Sequence, residues 1–144
     1  MRQIFLALLR RQDGSAVVEF ALLGPIFLGL FMGVLQVGIG MQNYNALRGL
    51  SGDVARRAVV TYQTGVRPDT GTLETWAENR AAAAPYGLRA AQFNAQISSA
   101  ATQRVTGAIE YTITLTYTVP TLLSVIGVDD IRLTYTRPVF VVTS

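Results

Sequence analysis

Glu19 is a single carboxylate at the mouth of a long apolar run, with Ser15, Ala16, Val17 and Val18 ahead of it and Phe20 behind. Five positions earlier stands Gly14, preceded by Arg10, Arg11, Gln12 and Asp13. An unpaired carboxylate drawn into lipid costs about 3 kcal/mol, so the position calls for a cation and hydrogen-bond donors. Beyond this acid the chemical repertoire is narrow. The chain has no His and no Cys, which removes a His-based triad, a Cys nucleophile, a thiolate or imidazole zinc site and a disulfide framework. The missing cysteines do not fix the compartment. Catalysis would have to rest on carboxylates, Tyr, Ser and Arg, and no arrangement of them stands out. Asp129 and Asp130, adjacent and close to Gly127, read as turn residues. The expectation is a protein that is not an enzyme and needs no metal or cofactor.

The elements that hold these residues must fit in 144 residues, the size of one small domain. Half of the chain is hydrophobic and 15% is charged, a balance that excludes intrinsic disorder. The mean hydropathy of +0.33 asks where so much apolar surface goes, and a membrane is the natural sink. All twelve basic residues are arginine, and their scatter gives a net charge of +3 without the basic face that nucleic-acid binding needs.

Residues 20–41 carry no charge and one polar side chain, Gln36. As a helix rising about 1.5 Å per residue this stretch reaches about 33 Å, against a hydrocarbon core of about 30 Å, so it reads as a membrane span. Arg2, Arg10 and Arg11 precede it on a short segment, whereas Arg48, Arg56 and Arg57 follow at a distance. That asymmetry favours a cytoplasmic amino terminus and an exported carboxyl-terminal body. An ordinary secretory signal peptide fits poorly, because the apolar run is too long and ends without a small-residue cleavage site.

Gly29, Gly33, Gln36 and Gly40 follow one another by 4, 3 and 4 residues and share a narrow stripe of the helix, with Gly29 and Gly33 forming a GxxxG pair. Small residues are common in membrane helices, but Gln36 on the same stripe favours a helix partner. Pro25, beside Gly24, removes the hydrogen bond to the Ala21 carbonyl and is expected to bend or loosen the span.

Past the span, Tyr44, Leu47, Val54, Ala55, Ala58 and Tyr62 recur at helical spacing, so the helix continues as an amphipathic one. Arg48, Asp53, Arg56 and Arg57 lie around it as a solvated face. Residues 64–71 form a breaker cluster and a hinge. Thr72 is a candidate N-cap for a second helix that stops near Pro85 and Gly87, with Trp76 as its core anchor. Residues 88–104 show no clear period and read as a further helix or a loop. Residues 107–119 alternate without a slip, Ile109, Tyr111, Ile113, Leu115, Tyr117 and Val119 on one face and Glu110 with four threonines on the other, which predicts a strand. After the turn at residues 127–130 a second alternating run covers 131–137, and an apolar tail covers 139–142. The fold class that follows is α+β: a long amino-terminal helix, transmembrane and then amphipathic, packed on a small antiparallel carboxyl-terminal sheet.

A basic leader ending in Gly14, four residues, Glu19-Phe20 and a long apolar helix resemble the class III signal of type IV prepilins. The run GSAVVEFALLGPIFLGLFMGVLQVG is similar to the opening of TadE-like proteins, the minor pilins or pseudopilins of the tight-adherence (Flp, type IVc) pilus system, where an acidic residue and Phe precede a short apolar run and a Pro, here Pro25. The resemblance covers residues 10–62 and leaves TadE, a sister pseudopilin and a TadG-like protein as alternatives. It implies a leader over residues 1–14, a prepilin peptidase cutting between Gly14 and Ser15, a long helix over 15–63 with its span at 20–41, and an extracytoplasmic α+β domain over 64–144 on the pilin plan. Gly14 offers that peptidase an unhindered position, and Phe20 completes the processing motif. After cleavage, Glu19 stands one helical turn from the new amine of Ser15 and can neutralise it or the amine of a neighbouring subunit. The implied partners are the prepilin peptidase, other pilins or pseudopilins in a homo- or hetero-oligomer, the Tad assembly platform and the bacterial inner membrane. An unprocessed single-span protein whose exported domain binds a partner is the other reading, and it leaves the Gly14 to Glu19 spacing unexplained.

Overall fold

The computed structural model describes residues 13–67 and 69–142. The leader of residues 1–14 therefore lies outside the described residues except for Asp13 and Gly14, and so do Arg2, Arg10 and Arg11.

Helix α1, Asp13–Gln63, runs for 51 residues without a break and carries Pro25 inside it, a length of about 76 Å at about 1.5 Å per residue. Its two halves meet different surroundings. From Val17 to Met41 nearly all the large apolar side chains are exposed, and an 18-residue length of the helix has a mean hydropathy of 2.1 with none of it buried in the protein. This one helix is long and apolar enough to cross a membrane, which fits a single-span membrane protein. In the second half Leu47, Leu50, Ser51, Val54, Ala55 and Ala58 are buried, a stripe at helical spacing that turns one face to the core. Ser51 is tolerated there because its hydroxyl donates to the Arg48 carbonyl at 2.7 Å. The helix ends where Gly65 takes φ 82° and its N–H bonds to the Tyr62 carbonyl at 2.9 Å.

Helix α2, Thr70–Ala82, begins three residues before the expected start. Its N-cap is Asp69 and not Thr72: the Asp69 carboxylate accepts from the Thr72 backbone N–H at 3.0 Å and from the Thr72 hydroxyl at 3.3 Å. A carboxylate is the better acceptor at the positive end of a helix, so Thr72 becomes the capped residue. Leu73, Ala77 and Ala81, four apart, are the buried face of α2.

The sheet holds three antiparallel strands in the order β1-β2-β3: β1, Phe93–Ser99, β2, Ala108–Val119, and β3, Ile131–Val142. β2 lies in the centre, and its alternation gives the sheet one apolar face. Strand β1 occupies the region that reads as helix or loop. Its alternation of buried Phe93, Ala95 and Ile97 is real but rests on three residues, one of them Ala. β3 joins the second alternating run and the tail into one strand through Pro138, which pairs with Thr112. An edge strand permits this, because a proline there leaves no donor missing toward a further neighbour.

Tyr111, Ile113, Leu115, Tyr117 and Val119 of β2 face the helices together with Val139 and Val141 of β3. The long helix thus packs on a three-stranded antiparallel sheet with α2 on the same face, and the α+β arrangement is the one expected. Strand β3 climbs alongside α1: Tyr135 meets Tyr44 edge to face with ring centroids 5.7 Å apart, and Arg137 reaches Gly52. Higher up, Val139 and Phe140 line a groove with Ala55 and Val59. The membrane-facing end of the sheet is therefore the β2–β3 connection.

Candidate assembly helix and its contacts

Gly14, Ser15, Glu19 and Phe20 all lie on the first exposed turns of α1. Among the described residues a Cβ placed on Gly14 would meet nothing within 4 Å. Ser15 and Glu19 stand one turn apart on one face, and Phe20 is 78% exposed. The side chains of this segment are available for contacts outside the chain.

The glycines of the small-residue stripe are equally open. Gly29, Gly33 and Gly40 have nothing within 4 Å of a Cβ. Gln36, the fourth member, is the exception in the apolar half of α1, at 3% exposure. Its amide is taken up by the chain's own β2–β3 loop: Nε2 donates to the Pro120 carbonyl at 3.2 Å, and Oε1 accepts from the Leu122 N–H at 2.9 Å. One side chain thereby satisfies two backbone groups left over where β2 ends. The stripe pattern assigns Gln36 to a helix partner, but the structure spends its amide on the chain's own loop, because Pro120 and Leu122 return to α1 from 84 and 86 positions away.

Away from the membrane, Trp76 packs half-buried on the core as expected of an anchor, with the Arg57 guanidinium 5.9 Å from the centroid of its ring. Asp53, Arg56, Arg57, Trp76 and Arg80 line a shallow pocket of about 290 Å³. Two of its charges have partners: Asp53 pairs with Arg80 at 3.5 Å and accepts from the Tyr86 hydroxyl at 3.0 Å, while Arg80 also donates to the Ala84 carbonyl. Partial burial, and then the bond to Asp53, push the Tyr86 phenol up.

At the far end of the sheet, Glu110 departs from the solvated polar face expected of it. It is buried, and Arg104 wraps it with a two-pronged ion pair, Nε at 2.8 Å from Oε1 and Nη2 on the same oxygen. Gln103 accepts from the Glu110 N–H, and the Arg104 guanidinium covers the Phe140 ring at 5.4 Å. The hydrogen bonds from Arg104 hold the Glu110 carboxyl below the usual carboxylate range. Asp130 is a turn residue, its carboxylate accepting from the Thr121 N–H at 2.9 Å. Among the described residues no group of three or more potential ligands gathers for a metal.

Residues 14–56 match a family model described as TadE-like protein. The match begins at Gly14, passes Glu19, the exposed stretch and Gln36, and ends in the packed half of α1. No curated protein and no solved structure matches the chain. Over residues 14–56, from Gly14 onto the first buried turns of α1, the chain is thus similar to TadE-like proteins.

Proposed function

We propose that the chain is a minor pilin or pseudopilin of a tight-adherence pilus system, made as a prepilin and cut between Gly14 and Ser15 by a prepilin peptidase. It sits in the bacterial inner membrane through residues 20–41 with its amino terminus cytoplasmic, and it is supplied from there to the Tad assembly platform and to other pilins. It performs no reaction of its own and acts through the packing of α1. The observation that carries this reading is the combination, within the TadE-like match, of Gly14, Glu19 and Phe20 at the foot of a helix whose apolar half is exposed. A free Ser15 amine one turn from Glu19 would give that carboxylate the cation it needs in lipid, in its own chain or across to a neighbour, and so set the register of assembly.

The test is the intact mass and amino-terminal sequence of the protein recovered from native membranes. A chain beginning at Ser15 supports the prepilin reading. A chain beginning at Met1 replaces it with an unprocessed membrane anchor whose exported domain binds a partner.

A further inference from the structure

The β2–β3 loop is built unlike an ordinary solvated turn. Six of its backbone donors find acceptors within the chain: Thr121 on Asp130, Leu122 on Gln36, Leu123 on the Thr121 hydroxyl, and Ile126, Gly127 and Val128 on the Leu123 and Ser124 carbonyls. Its side chains point the other way in character. Ile126 is 70% exposed, Leu122 43% and Val128 39%. A loop that pairs most of its N–H groups and shows its aliphatic side chains has the construction that a low-dielectric surrounding favours.

Its place on the molecule says what that surrounding is. Gln36 fixes the loop to α1 five positions before Met41, about 7.5 Å along the helix inside the apolar stretch. At that level Leu35 and Ile39, on either side of Gln36, are themselves exposed. The aliphatic loop thus continues the surface by which α1 meets lipid. Asp129 and Asp130 close the loop on the β3 side and limit its entry to the headgroup boundary, and no basic residue lies within residues 120–131 to attract anionic lipid.

We propose that residues 122–128 form a second membrane contact, inserting Leu122, Ile126 and Val128 into the outer-leaflet interface beside α1, with Gln36 as the residue that holds the loop at that depth. The contact is apolar and independent of lipid charge. The proposal rests on α1 crossing the bilayer and not on processing or on pilus assembly.

The chain has no cysteine, so Ile126→Cys supplies a single site for an environment-sensitive fluorophore on the full-length protein. The labelled protein is reconstituted in phosphatidylcholine vesicles at about one chain per vesicle and challenged with phosphatidylcholine carrying a nitroxide on its acyl chain. Phe27→Cys, in the span, and Thr102→Cys, in the β1–β2 connection at the opposite end of the sheet, are the references. The expected result is blue-shifted emission and strong quenching at 126, weaker than at 27, none at 102, and a loss of at least half of the quenching at 126 when Gln36→Leu is added. Water-like, unquenched emission at 126 with quenching at 27 overturns the proposal while leaving the span intact. Blue-shifted emission at 126 without lipid quenching also overturns it, because a protein surface then covers the loop. Absence of quenching at both positions overturns the span and the proposal together.

Discussion

Tyr86 donates its phenolic O–H to Asp53 at 3.0 Å, a bond that ties the segment after α2 to the packed half of α1 across 33 positions of chain. The same ring lies against Gly49, where a Cβ would come within 3.1 Å of it, and receives the Arg80 guanidinium at 5.5 Å. Tyr86→Phe keeps the ring and removes the bond, and is expected to cost about 1 kcal/mol. Gly49→Ala should also destabilise, by pushing the ring from its seat. Chemical denaturation in detergent, followed by the fluorescence of Trp76, reads both.

Acid should loosen the far end of the sheet before the core. The folded-state pKa of Glu110 is depressed, with the hydrogen bonds from Arg104 as the first cause. The group therefore contributes stability that is complete above its unfolded pKa, about 4.3, and is lost as the pH falls through the lower folded value. Amide exchange at residues 103–110 should accelerate selectively below about pH 4 relative to Glu110→Gln, which lacks the titration. Equal pH profiles in the two proteins would count against the ion pair as the lock.

Leu50 is fully buried between α1 and the sheet. Leu50→Ala is expected to cost about 2–5 kcal/mol, the range for a truncated core leucine that leaves a cavity. Val60→Ala, on the exposed side of the same helix, should stay within about 0.5 kcal/mol. Thermal unfolding of the two variants separates the buried stripe from the solvated face.

Removal of the Asp69 cap has a local readout. Asp69→Ala leaves the Thr72 N–H without its acceptor and should cost about 1 kcal/mol, with Asp69→Asn nearer to neutral. Faster amide exchange confined to the first turn of α2 is the expected signature.

Two substitutions address the assembly helix directly. Replacing Gly14 with a bulky residue such as Ile should leave insertion intact and keep the leader on the chain, read as an unchanged precursor mass. Glu19→Ala or Glu19→Val should also insert but should reduce incorporation into surface appendages or their base. Normal incorporation of the Glu19 variants would remove the pairing role assigned to that carboxylate.

What the sequence reveals follows the strength of each local pattern. β2 is legible to within a residue because apolar and polar side chains alternate over the eleven positions 109–119. The continuation of α1 is legible from its apolar stripe, although Leu50, its central buried residue, does not stand out without the packing. Strand β1 escapes notice since Ala95 and the serines blunt its period, and its edge N–H at Ile97 is satisfied by Glu74 from α2, 23 positions away. β3 looks like two pieces because Pro138 is a breaker anywhere except on an edge. The site divides in the same way. Gly14, Glu19 and Phe20 are visible because their spacing is local, whereas the partners of Gln36, Glu110 and Tyr86 depend on chain returns that no local period encodes.

Strand β3 rising alongside α1, from Tyr135 at Tyr44 to Phe140 near Val59, also settles how the protein bears a load. A pull along the axis of α1 meets the sheet in shear. Contacts spread along more than a dozen residues of helix then resist together, instead of parting one after another as in peeling. Drawn out of a bilayer by its helix, the domain would follow as a rigid body, with the Gln36 clamp as the first joint to feel the strain.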